Sequence, residues 1–156
     1  MIAQAGPKNV ALFVALLALA ACGSDPALQR ADAEASTGHR AALAALAQVG
    51  VPYRYGGQSP SGFDCSGLVQ YAYLEAGVST PRTTRQLWSA ARTIEQDELE
   101  AGDLLFFTID GKMSHVGMYL GERRFVHAPQ SGRRVSVASL DMPFYRQALI
   151  RTARIY

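Results

Sequence analysis

The chain has 156 residues, with 15 Lys+Arg against 13 Asp+Glu, a formal net charge of +2 and two cysteines. That length suits one compact domain with an appendage and excludes two full-size domains or a barrel of eight βα units. A composition of 49% hydrophobic and 18% charged residues excludes wholesale disorder. Balanced charge without a basic run leaves no footprint for nucleic acid, and two cysteines make neither a multi-bridge scaffold nor, alone, a four-ligand zinc site.

Lys8 is the only charged side chain before Asp25, and Val10 to Ala21 is an unbroken apolar run. A membrane-spanning helix needs roughly 20 apolar residues, whereas the apolar region of a signal peptide has about 7–15. The run ends in Leu19-Ala20-Ala21-Cys22, followed by polar Gly23-Ser24-Asp25. This resembles a bacterial lipobox, which makes 1–21 a removable signal and Cys22 a lipidated N-terminus anchored through acyl chains. The competing reading is an ordinary signal peptide cut near Ala21, with Cys22 incidental. Residues 22–38 read as a lipidated cysteine with a polar, Ala-rich tether, and 39–156 as the domain.

His39 to Val49 has high helix propensity, with Thr37 as a cap, Gly50 as a stop and Leu43, Leu46 and Val49 along one apolar face. Val51 to Phe63 is a loop punctuated by Pro and Gly. Cys65 to Ala76 reads as a helix capped by Asp64 and ended at Gly77, burying Leu68, Val69, Ala72 and Tyr73. Pro81 to Ala91 holds a short helix whose Thr83 and Gln86 have the spacing of a capping box. The period then changes. Short β-rich runs cover Asp103–Thr108, His115–Leu120, Arg124–His127 and Arg133–Val137, with turns at Asp110-Gly111, Gly121-Glu122 and Ser131-Gly132. Pro143 marks a turn or helical bend, and Gln147 to Tyr156 closes the sheet. Helices followed by an antiparallel sheet of five to six strands form an α+β fold.

If Cys22 carries lipid, Cys65 is an unpaired thiol in an oxidising compartment. It is either a buried, inert side chain or a nucleophile. Its position at a helix N-terminus favours the thiolate, and small Ser66 and Gly67 leave backbone N–H groups open to a developing oxyanion. Asp64 opposes the thiolate unless its carboxylate turns to backbone N–H groups. Of the three histidines, His39 reads as a surface residue. His115 and His127 lie on strands joined across Gly121-Glu122. With Leu120 and Arg123 flanking that turn, the two imidazoles fall side by side, as a base and its orienting partner require. A zinc site of Cys65, His115 and His127 is an alternative that lacks short ligand spacings.

Six blocks resemble the NlpC-type cysteine peptidases of bacterial cell walls: Val51–Gly57, Asp64–Val69, Pro81–Thr84, Ala101–Phe107, Ser114–Gly121 and Phe125–Ala128. They run in order over about 39–156. The resemblance implies a reduced papain-like α+β fold, with Cys65 as nucleophile, His115 as general base, His127 as its orienting partner and Tyr53 lining the site near the oxyanion beside Ser66. It implies hydrolysis of peptidoglycan stem peptides, at the D-glutamyl–diaminopimelate bond or the diaminopimelate cross-link, without a cofactor or metal. Asp64, Arg54, Arg82 and Arg85 flank the expected cleft, where arginines either pair with substrate carboxylates or serve as solvated surface. A non-catalytic murein-binding lipoprotein and a thiol acyltransferase or amidase on the same fold are the competing functions. The remaining expectations are a monomer and, with Gly23 rather than Asp after Cys22, an outer-membrane anchor facing the periplasm.

Overall fold

The computed structural model describes residues 37–156. The expected signal, Cys22 and most of the tether lie outside the described residues. Helix α1 covers 37–46, and Gly50 follows its final turn. Thr37 lies within the helix rather than capping it. A small hairpin, β1 (Gln58–Ser59) and β2 (Gly62–Phe63), occupies the segment expected to be plain loop. Then come α2 (Cys65–Glu75), α3 (Thr84–Ala90), β3 (Arg92–Thr93) and a short 3-10 turn over Gln96–Glu98. The remaining elements are β4 (Leu104–Ile109), β5 (Lys112–Gly121), β6 (Arg124–His127), β7 (Ser136–Ser139), α4 (Pro143–Ala148) and β8 (Leu149–Arg154).

Six strands form one antiparallel sheet in the order β3-β8-β4-β5-β6-β7. The α+β class, the helix-then-sheet order and the strand number are as expected. Alternation along the strands divides the core. Leu104, Phe106, Val116, Met118 and Val126 face α1, α2 and α3, where Leu68, Val69, Ala72 and Tyr73 meet them. Leu105, Phe107, Tyr119 and Phe125 face the other way, against Tyr145 and Ala148 of α4. The catalytic-size domain therefore has an uneven sandwich: three helices on one side of the sheet and one short helix on the other.

Three expectations about these elements need correction. The buried face of α1 is Ala41, Ala42 and Ala45, while Leu43, Leu46 and Val49 are 52%, 40% and 48% exposed. Close approach explains the choice. Gly38 sits against Tyr156 and the Ala101-Gly102 turn with no room for a Cβ, so only small side chains fit the facing surface. The strand expected at Arg133–Val137 begins at Ser136, because Val135 instead donates to the Val51 carbonyl and accepts from the Gly50 N–H, and Arg134 bridges Pro52. The β5–β6 turn is Glu122-Arg123, both at positive φ (50° and 56°), one residue later than expected. A bulge between Tyr119 and Gly121 absorbs that shift.

Candidate active site

Asp64 caps α2 as expected. Its Oδ1 accepts from the Gly67 N–H at 2.7 Å and its Oδ2 from the Gly56 N–H at 3.0 Å. Arg82 holds the same carboxylate in a two-pronged pair at 2.9 and 2.7 Å, and also donates to Ser66 Oγ and the Gly57 carbonyl. This network welds the β1–β2 hairpin, the start of α2 and the segment leading into α3. Two expected roles change as a result. The Gly67 N–H is occupied by the cap rather than open to an oxyanion. Arg82 and Asp64 are engaged with each other, whereas Arg54 and Arg85 are exposed.

The cap fixes Cys65 as the first residue of α2, half-buried, with its sulfur aimed at β5. That strand runs for 10 residues, but β6 is only 4 long and pairs only its C-terminal part. The sulfur lies against the uncovered part, 3.9 Å from the Ser114 carbonyl and 3.6 Å from Thr84 Oγ1. His115 is the residue immediately beyond that carbonyl. It is 4% exposed, and its Nε2 is hydrogen-bonded to Nδ1 of His127, itself 2% exposed, at 2.8 Å. With Nε2 so occupied, Nδ1 is the other ring nitrogen of His115. The imidazoles use these nitrogens on each other rather than turning both towards a shared ion. Among the described residues no group of three His, Cys, Asp or Glu is placed to hold a metal.

The pairing differs in detail from the expected side-by-side register. Continuing the Met118–Val126 pairing puts His127 opposite Gly117, so the histidines are diagonal neighbours on one face. Gly117 makes this contact feasible. A Cβ there would stand 2.6 Å from Cδ2 of Phe125, whose ring packs at 5.0 Å from that of His127. Gly117→Ala is expected to lose about 1–3 kcal/mol through overpacking and to displace the imidazole pair. Thermal melting and peptide-release assays would check this; an equally stable, fully active variant would contradict it.

Two residues join the site without having been foreseen individually. The Tyr145 hydroxyl lies 3.4 Å from Nε2 of His127, and its ring stands edge-on to the imidazole at 87°. Thr84 reaches the sulfur from the first turn of α3. Tyr145 carries no periodic or motif signal in the sequence. Thr84 lies within a recognised block but only the fold brings it to Cys65. Tyr53 is half-buried and close enough to Cys65 to feel its charge. Burial raises its hydroxyl pKa, and charge on Cys65 adds to that rise.

Electrostatics correct one further expectation. Burial raises the Cys65 thiol pKa, although the Thr84 hydroxyl and the Val116 and Ser66 backbones favour the thiolate. Burial also lowers His115 to about 4, and burial followed by the charge of His115 lowers His127 to about 3. Desolvation thus pushes the thiol and both imidazoles towards their neutral forms. Iodoacetamide labelling of Cys65 should therefore keep rising with pH beyond the ordinary thiol range near 8.5. A plateau below neutral pH would instead demonstrate a preformed thiolate–imidazolium pair. The buried His115 should also stay neutral under acidity that protonates an ordinary histidine.

Comparison with known proteins bears on the same region. The Escherichia coli (strain K12) murein DD-endopeptidase MepH is 39% identical over 116 residues, covering 70% of this chain and 43% of that protein. The Bacillus subtilis (strain 168) bifunctional muramidase/DL-endopeptidase CwlT is 41% identical over 115 residues, covering 71% and 34% respectively. The crystal structure of a lipoprotein-like NLP/P60 family protein from Staphylococcus aureus superposes with a TM-score of 0.68 at 37% identity, covering 77% of this chain and 41% of that one. The chain thus spans less than half the length of each of these proteins. The profile of the NlpC/P60 family matches residues 50–154, a stretch that contains Tyr53, Cys65, both paired histidines and Tyr145. Fold, site and profile coincide over that stretch, and the chain belongs to the NlpC/P60 family.

Proposed function

We propose that this chain is a peptidoglycan hydrolase, a cysteine endopeptidase that cuts murein stem peptides through Cys65, His115 and His127. One observation carries the reading: the capped sulfur lies against the strand segment bearing His115, whose far nitrogen is tied to His127. The related endopeptidases support the substrate class.

The chemistry follows from the arrangement. His115 Nδ1 takes the Cys65 proton as sulfur attacks the scissile carbonyl carbon. His127 holds the ring and shares the imidazolium charge. The backbone N–H of Cys65 and the Tyr53 hydroxyl are the oxyanion donors in this reading. The tetrahedral adduct collapses as His115 gives its proton to the leaving amine, leaving a thioester on Cys65. Water then loses a proton to His115, attacks the thioester and releases the carboxylate, restoring the thiol.

The bond is either the D-glutamyl–diaminopimelate bond or the diaminopimelate cross-link; the relatives include enzymes named for DL and for DD cleavage. Digestion of purified murein with mass spectrometry of the soluble products tests the reading. New amine and carboxyl ends within stem peptides are expected. Binding to murein without release would favour a non-catalytic lipoprotein. Products joined to an added amine would favour an acyltransferase, and separation of peptide from sugar an amidase. The proposal extends to a lipid anchor on Cys22, within Leu19-Ala20-Ala21-Cys22, holding the domain at the outer membrane on its periplasmic side. Labelling with a radioactive fatty acid, lost in Cys22→Ser, tests that anchor.

A further inference from the structure

A cleft of about 690 Å³ opens beside the imidazole pair, between the loop after β6 and helix α4. His115 and His127 line it together with Arg133, Arg134, Phe144 and Tyr145, and no Asp or Glu does. The two arginines are not equivalent. Arg134 donates to the Gly50 carbonyl at 2.8 Å and fastens the loop to the end of α1. Arg133 is exposed, and among the described residues its guanidinium has no hydrogen-bond or ion-pair partner. It does stand near the Tyr145 hydroxyl, whose pKa burial raises and the Arg133 charge opposes. The result is an uncompensated cation at the margin of a cleft that begins at the catalytic base.

The direction of proton transfer assigns a role to this side of the site. The leaving amine must receive its proton from His115, so the fragment carrying that amine lies on the His115 side. The acyl fragment remains on Cys65. In both bonds considered under the proposed function, the leaving amine belongs to diaminopimelate. That residue differs from lysine in having a further carboxylate at the end of its side chain.

We propose that the cleft is the leaving-group subsite and that Arg133 recognises the free carboxylate of diaminopimelate. This inference rests on the murein-peptidase reading and adds to it a residue that sets specificity. Arg133 is a binding residue here, with no part in the proton transfers. A guanidinium suits the task, because it stays charged and can hold a carboxylate with two parallel N–H groups.

The test uses matched stem peptides and cross-linked dimers that differ only in carrying diaminopimelate or lysine. The wild type should cleave the diaminopimelate form of its preferred substrate with kcat/KM about tenfold or more above the lysine form, as one charge-assisted contact provides. In Arg133→Gln that ratio should fall to within about threefold of unity, mainly through KM, and Arg133→Lys should restore part of it. Equal cleavage of the two forms by the wild type would overturn the subsite. So would an undiminished preference in Arg133→Gln, or an equal fall on both forms. Failure of the wild type to cleave any of the peptides would instead remove the murein reading, and the subsite with it.

Discussion

Cys65→Ala is expected to lower the release of stem-peptide fragments from purified murein by about 10³-fold or more, with little change in unfolding midpoint. The fold does not depend on this sulfur. Asp64 caps α2, its carboxylate takes the Gly67 N–H, and the sulfur's own contacts are long ones to Thr84 and Ser114. What is lost is the atom that forms the acyl intermediate in the proposed scheme. His115→Ala should be comparably inactive, because burial raises the thiol pKa and no other base adjoins it in the proposed scheme. The double variant should be scarcely worse than either single one, since the two residues act in the same step. Full retained activity in either single variant would remove the proposed machinery.

Arg154→Met is expected to give the largest loss of stability. Asp103, at the start of β4, is 0% exposed, and Arg154, at the end of β8, is 13% exposed at its side chain. Their contact is a fork of 2.7 and 2.8 Å. Arg154 also reaches the Glu98 carbonyl, while the Glu100 N–H donates to Asp103. The cluster locks the turn before β4 to the closing strand, beneath the buried Tyr73, whose hydroxyl donates to the Gly102 carbonyl. Removing the guanidinium leaves a buried carboxylate with only the Glu100 N–H. The expected cost is about 3–5 kcal/mol, a large share of the 5–15 kcal/mol typical of a domain. Urea unfolding measures it. The double variant Asp103→Leu/Arg154→Met should regain much of the loss, because no unpaired charge then remains. A single variant within about 1 kcal/mol of wild type would show that water reaches the carboxylate.

How much could be read in advance depended on how local each signal was. Asp64 before an amphipathic run identifies the start of α2, and Thr83 with Gln86 identifies α3, because a cap and its helix are neighbours in sequence. The meeting of His115 and His127 was legible because strand alternation puts them on one face. Their diagonal placement was not, because it depends on a bulge near Leu120 and a turn at Glu122-Arg123. Helix α1 was misread for a packing reason. Leucines are the natural inward face by hydrophobicity, yet backbone proximity at Gly38 and Gly102 selects the alanines instead. The Arg82–Asp64 pair, Thr84 at the sulfur and Tyr145 at His127 join segments 18 to 19 residues apart, and no periodicity encodes such contacts. The thiol pKa was misjudged because a helix terminus is visible in sequence while desolvation is not.

In the proposed scheme Cys65, His115 and Arg133 define a single direction across the site, with the acyl part held on α2 and the amine part beyond β5 and β6. Phe107, Phe125 and Tyr145 pack around the histidine pair on the face opposite the three helices. In the proposed scheme that arrangement suits a base that must remain neutral until a thiol is pressed against it.

A murein stem-peptide analogue with a vinyl sulfone in place of the scissile amide tests the nucleophile and the substrate class together. Tryptic mass spectrometry after stoichiometric labelling should place the adduct on Cys65, formed far faster than with a scrambled peptide bearing the same group. Labelling at another residue, or at equal rates with both peptides, would contradict a Cys65-centred murein peptidase.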